Sequence, residues 1–295
     1  MRRQLYAELS CGGSTVRLDG LVGGRGLHVT SEGIEGWWST PDPKWSLTER
    51  QSADGAHGVA EGMVLYAART VTVHAVAIGA DRDDAKELLD SVLAMAHGRV
   101  RLRVVDSSED TFCDGLLSVR AGAEWHPAAI LADLTVTCPD PRRLATEPSD
   151  AWLLPAQAHG GGVGLSYGAS GAGLRYPLDY GAGATDSRNS ATVRNAGSAP
   201  AHPVVTLAGP LDAGATVTVS AGGSTATVTV GRAIAGGTSV TVDFRTRTAS
   251  QGRLDVTRQV TATGWAPVPA GGEAACTLQA TGTGSALVRV RDTYI

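Results

Sequence analysis

The stretch VTVHAVAIGADRDDAKELLDSVLAMAHG, Val71 to Gly98, sets the two local structures readable in this chain side by side. In its first eight residues Val71, Val73, Ala75 and Ala77 alternate with Thr72, His74, Val76 and Ile78, the period-two pattern of a strand with one buried face. The period then changes. Asp81 is placed to cap a helix whose first turn carries Asp83 and Asp84, and whose apolar positions Leu88, Leu89, Val92, Leu93 and Ala96 recur at helical spacing before Gly98 closes it. This is the one long helix the sequence predicts.

Outward from this stretch, strands dominate. Ile130, Ala132, Leu134 and Val136 alternate with Leu131, Asp133 and Thr135. Further on, Thr216 to Ser220 and Thr225 to Val230 flank Ala221-Gly222-Gly223-Ser224 as a hairpin would, and strands are expected at Ser239 to Thr246 and Ala286 to Tyr294. After Pro139-Asp140-Pro141 periodicity fades, and Ala156 to Gly173 is rich in Gly, Ala and Ser, the composition of a flexible connection. The reading is therefore mainly β with a minor α component (α+β minor), in two domains: residues 1–150, a linker over 151–190, and a β-sandwich over 191–284. Composition agrees: hydrophobic residues make up 42% but Phe, Trp and Tyr only 5%, with 38 glycines, which suits short strands and turns.

Charge and cysteine usage exclude several function classes. A net charge of −4 gives no electrostatic reason for a polyanion partner, so direct nucleic-acid recognition is not expected. Cys11, Cys113, Cys138 and Cys276 include no C-x-x-C pair, which argues against zinc and thioredoxin-like chemistry and for buried free thiols. The N-terminus MRRQLYAELSCGG lacks an apolar core, and no stretch reaches about 18 apolar residues, so neither a secretion signal nor a membrane span is expected.

The candidate chemistry is thin. Gly164-Leu165-Ser166-Tyr167-Gly168 matches the nucleophile elbow of α/β-hydrolases in form, but that motif needs a buried strand before the serine and a helix after it. Gly160 to Val163 and Ala169 to Gly173 supply neither. His28, His57, His74, His97, His126, His159 and His202 show no paired metal-ligand spacing, and Asp81, Asp83 and Asp84 complement a helix dipole. No catalytic residue, cofactor or metal is expected. Trp37, Trp38 and Trp45 lie in a segment broken by Gly33, Gly36, Pro41 and Pro43. Adjacent residues on a strand face opposite sides, which leaves two readings open. Either one Trp is in the core and one caps a loop, or the group forms a subunit interface.

Three stretches, in order, resemble the distal tail protein family of long-tailed siphophages. The first is Arg50 to Gly58 with Tyr66-Ala67-Ala68-Arg69-Thr70-Val71-Thr72-Val73, followed by the helix from Asp81 and by Cys138-Pro139-Asp140-Pro141. The second is Arg175-Tyr176-Pro177-Leu178-Asp179-Tyr180-Gly181, then Val193-Arg194-Asn195-Ala196-Gly197-Ser198-Ala199-Pro200-Ala201-His202-Pro203-Val204 and Leu207-Ala208-Gly209-Pro210. The third is Trp265-Ala266-Pro267-Val268-Pro269-Ala270-Gly271-Gly272, Gly282-Thr283-Gly284 and the terminal Leu287 to Tyr294.

The resemblance implies a non-enzymatic virion protein, made in the host cytoplasm. Its N-terminal domain would assemble as a homohexameric ring between the tail tube protein and the tail-tip hub with its tape-measure-associated proteins. Its C-terminal domain would be a galectin-like β-sandwich able to hold receptor-binding or side-fibre proteins. It also implies that the terminal strand, residues 285–295, returns to the first domain of residues 1–150 and closes it, and it carries over no catalytic residue. A carbohydrate-binding β-sandwich module is the alternative, since sandwiches host lectins although fold alone does not license the function.

Overall fold

The computed structural model describes residues 3–20, 23–45, 47–58, 64–156 and 189–295. The chain divides into two compact units, Met1–Glu147 with Thr293–Ile295, and Pro148–Asp292.

The first unit contains β1 (Arg3–Cys11), β2 (Ser14–Asp19), β3 (Gly26–Glu35), β4 (Arg69–Ile78), α1 (Arg82–Leu93), β5 (Arg99–Ser107), β6 (Glu109–Ala121), β7 (Ala129–Cys138) and the start of β8 (Arg143–Leu153). Its strands run β6-β5-β1-β2-β3-β4-β7, and β7 pairs back onto β6, so the sheet closes into a barrel. The β2–β3 pairing is parallel and the other barrel pairings are antiparallel. Closure removes free edges and gives every strand one inward face. On β4 that face is Val71, Val73, Ala75 and Ala77, the set the alternation predicts, and on β7 it is Ile130, Ala132, Leu134 and Val136.

The helix packs against β3, β4 and β7. The Asp81 carboxylate accepts from the Asp84 amide at 2.9 Å, the cap the sequence predicts. The buried stripe is Ala85, Leu89 and Val92, continued by Met95, whereas Leu93 and Ala96 face solvent. The helix stops at Leu93 and tightens into a 3-10 turn, Ala94–His97, which rotates the last predicted apolar position off the core.

The second unit takes the rest of β8 and contains β9 (Ser190–Arg194), β10 (Val204–Ala208), β11 (Leu211–Ala221), β12 (Ser224–Val230), β13 (Ser239–Asp243), β14 (Thr248–Gln251), β15 (Leu254–Asp255), β16 (Val260–Thr263), β17 (Glu273–Gly282) and β18 (Ser285–Tyr294). Here β15-β14-β13-β10-β18-β8 form one sheet and β16-β12-β11-β17-β9 the other. Their inner residues, among them Val205, Val217, Val228, Val242, Leu278 and Val288, form a single core, as a sandwich requires. Outward-facing threonines pair across strands, Thr216 with Thr229 at 3.0 Å and Thr206 with Thr241 at 3.3 Å. The predicted hairpin turns on Gly222 and Gly223, both at positive φ.

Two expectations about boundaries are corrected. The terminal strand, assigned with residues 285–295 to the first domain, completes the second: β18 pairs with β10 from Ser285↔Ala208 to Arg289↔Val204. Its Ala286, Val288 and Val290 are buried in the sandwich core, and only Thr293–Ile295 group with the first unit. A strand pattern carries no information about which core receives its buried face. Likewise the linker set at 151–190 begins inside β8, where Ala151 and Leu153 belong to the sandwich core. Residues 157–188, including the Ser166 motif, His159 and the Arg175 to Gly181 stretch, lie outside the described residues.

Candidate functional site

Between β3 and β4 the barrel sheet is interrupted by an arm that starts at Gly36 and returns by Ala68. Gly36 has φ +78°, and a Cβ there would meet the Thr70 carbonyl oxygen at 2.2 Å, so only glycine allows the chain to leave the sheet at this point. Immediately after the turn, Trp37 enters the barrel core at 1% exposure while Trp38 stays 46% exposed. The two neighbours lie in the bend that follows β3, which sends one side chain into the core and leaves the other outside.

Arg69, buried at the foot of the arm, fixes this turn. Its Nη1 donates to the carbonyls of Gly36 at 2.7 Å, Trp37 at 3.1 Å and Ser39 at 2.7 Å, and its Nε to that of Pro141 at 2.7 Å. Burial pulls the Arg69 guanidinium below its ordinary pKa, and the nearby Arg143 charge adds to this. Arg143 itself lies 5.7 Å from the centre of the Trp37 ring and 5.8 Å from that of Tyr294. A buried charge is thus used to hold loop carbonyls that have no ladder partner.

Beyond the turn, backbone pairs hold the arm: Lys44 N–H to Leu65 O at 2.6 Å, Ala67 N–H to Asp42 O at 2.8 Å and His57 N–H to Thr48 O at 2.9 Å. Several of its apolar side chains are left in solvent. Trp45 is 57% exposed, and Leu47, Val64 and Leu65 are exposed as well. Of the three tryptophans predicted as interface anchors, Trp38 and Trp45 therefore remain available. Trp37 does not, because the barrel's own core has taken it.

Two exposed tryptophans escaped the sequence reading. Trp125, 72% exposed, sits in the loop joining β6 and β7, where Gly122 and Pro127 were the available turn signals. Trp152, 64% exposed, lies on β8 between buried Ala151 and Leu153, an alternation hidden in a stretch taken as aperiodic.

A polar cluster on the barrel surface was also not anticipated. His74 on β4 has Nδ1 at 2.8 Å from Asp133 Oδ1 and 3.3 Å from Glu32 Oε2, and Nε2 at 3.9 Å from Glu35 Oε2. His74, Glu32, Asp133 and Arg120 border a recess of about 500 Å³. Its histidine is surrounded by carboxylates rather than set beside a nucleophile. Among the described residues no three His, Cys, Asp or Glu side chains converge as metal ligands, and no helix is long and apolar enough to cross a membrane.

No protein-family model and no curated protein matches the sequence. Solved structures do. The crystal structure of the SPP1 Dit (gp 19.1) protein, described as a paradigm of the hub adsorption apparatus in phages infecting Gram-positive hosts, aligns with a TM-score of 0.56 at 12% identity, over 91% of this chain and 94% of that one. A chain of the phage P2 baseplate in its activated conformation with Ca gives 0.52 at 10% identity, over 99% and 98%. The same baseplate with Sr gives 0.51 at 8%, over 97% of each chain. Identity at this level speaks for the fold alone, and the chain has, along nearly its whole length, the fold of phage Dit and baseplate proteins.

Proposed function

We propose that this chain is a structural protein of a long-tailed phage, a distal tail protein whose first unit assembles as a homohexameric ring. The ring joins the tail tube to the tail tip, and the sandwich holds receptor-binding or side-fibre proteins. What carries the reading is coverage: the SPP1 Dit chain is matched over 94% of its length, so a barrel unit and a sandwich unit occur in the same chain in both. The arm adds physical support, since exposed Trp38 and Trp45 are the large apolar anchors that stable interfaces use. Negative-stain imaging of the purified chain is the test. Six-fold rings are the expected result, and a monodisperse monomer at every concentration overturns the assembly.

One observation favours a second reading, carbohydrate binding. Asp150 and Trp152 share the outer face of β8, and Asp150 is held by Arg289 through bonds of 2.8 and 2.7 Å, so an exposed ring lies beside fixed polar groups. Quenching of tryptophan fluorescence by a saccharide, lost in Trp152→Ala, would select it.

A further inference from the structure

We propose that Cys113 and Cys138 are a site of oxidative cross-linking that closes to an intramolecular disulfide across the seam of the barrel. Their sulfur atoms are 2.8 Å apart, against a disulfide bond length of about 2.05 Å. Cys113 is on β6 and Cys138 ends β7, the two strands whose pairing closes the barrel. The ladder between them begins at Leu116↔Thr137. At the next position is Gly115, where a Cβ would come within 2.5 Å of the Thr137 carbonyl oxygen. The missing side chain is what lets β6 run close against the end of β7 and brings Cys113 over Cys138. The other two cysteines lie elsewhere, Cys11 on β1 and Cys276 on β17 in the other unit.

The oxidant is a small-molecule disulfide of the oxidised-glutathione class. The Cys138 thiolate attacks one of its sulfurs, forming a mixed disulfide and releasing one thiolate, which takes up a proton. Cys113 then gives its proton to solvent and attacks the Cys138 sulfur, forming the protein disulfide and releasing the second thiolate. Two protein thiols and one small disulfide thus become one protein disulfide and two small thiols. Cys138 suits the first step: the hydrogen bond with Cys113, and more weakly the Arg69 charge, hold its pKa below the ordinary value against the opposing effect of burial. The same hydrogen bond and burial hold Cys113 above its ordinary value. Both thiols are buried, so the reagent reaches them only when the seam opens locally, and the rate follows that opening.

The full chain, incubated with oxidised glutathione or with dithiothreitol and then alkylated in denaturant, tests this by mass spectrometry. Oxidation is expected to leave two of the four cysteines unalkylated and to give one linked peptide joining Cys113 to Cys138. The unfolding midpoint of the barrel should rise by roughly 5–10 °C, reversibly. Cys113→Ser and Cys138→Ser should each abolish the linked peptide and the rise. Four alkylated cysteines after oxidation, even just below the unfolding transition where the seam opens, overturn the site. So does a linkage through Cys11 or Cys276, or a mixed disulfide that persists, and a linked form with an unchanged midpoint overturns its stabilising role.

Discussion

Replacing Asn195 by alanine should destabilise the sandwich unit by about 3–4 kcal/mol, more than most single substitutions. Asn195 is fully buried, and its amide group joins two turns that are far apart in sequence. The Nδ2 donates to the carbonyls of Ala199 at 2.9 Å, Val268 at 3.2 Å and Pro269 at 3.0 Å, and Oδ1 accepts from the Gly197 amide at 3.0 Å. Backbone bonds run alongside, Asn195 N–H to Gly272 O at 2.9 Å and Val268 N–H to Ala201 O at 2.7 Å, so the turns stay near each other when the side chain is cut back. Water then cannot readily reach the abandoned groups. Four bonds at a net of about 1 kcal/mol each set the scale: the Ala199 carbonyl and the Gly197 N–H lose this partner outright, while the Val268 and Pro269 carbonyls keep the Ala201 and Gly272 N–H groups. At about 2–4 °C per kcal/mol for units of this size, calorimetry should show the sandwich transition falling by roughly 8–12 °C with the barrel transition unmoved.

Asn195→Asp separates this account from simple loss of packing. The carboxylate keeps an acceptor for Gly197 but has no N–H and faces three carbonyl oxygens, so it should be at least as damaging as alanine at neutral pH. A shift under about 2 °C for Asn195→Ala, or an aspartate variant more stable than the alanine one, would refute the donor role.

Trp38→Ala with Trp45→Ala should reduce oligomer size by light scattering while circular dichroism stays near wild type, whereas Trp37→Ala should cost about 3–5 kcal/mol of barrel stability; unchanged oligomers in the folded double variant would place the contacts elsewhere. Deleting Ser285 to Ile295 removes a strand whose Ala286, Val288 and Val290 are fully buried, so the calorimetric transition of the sandwich should disappear, and its survival would contradict the placement of β18. Asp84 is held at about 2, below its ordinary 3.8, chiefly by hydrogen bonds from Arg25 and then by the Ala80 amide. Its folded pKa is depressed, so its contribution to stability is complete above 3.8 and is lost as pH falls through about 2. Acid titration of stability should therefore be shallower in Asp84→Asn than in wild type, and identical slopes between pH 5 and 2 would count against it.

Much of the fold is legible because burial in a sheet is written at period two. Val71 to Ile78 and Ile130 to Val136 were readable since the barrel fills one face and leaves the other to Thr72, His74 and Thr135. The cap at Asp81 was readable because its carboxylate acts three residues away, inside the window that local patterns report. The part played by Asn195 was not readable in this way. The resemblance marked Asn195 to Pro200 and Trp265 to Gly272 as separate motifs, and nothing in either says that one amide serves both, because the partners are 73 and 74 residues apart.

The same limit governs the contact surface. An apolar side chain states a preference for leaving water, not the identity of the body that covers it. The terminal strand was assigned to the first domain although its Val288 and Val290 lie in the sandwich core, and Trp37, for which a core place and a subunit interface were both open, lies in the barrel core. What distinguishes Trp38, Trp45, Trp125 and Trp152 is only that the chain's own cores are complete without them. Candidate contacts therefore emerge by subtraction, after the internal cores are assigned, and the arm holds the strongest candidates. It keeps two tryptophans and three aliphatic side chains exposed, and Arg69 ties its foot through the carbonyls of Gly36, Trp37 and Ser39.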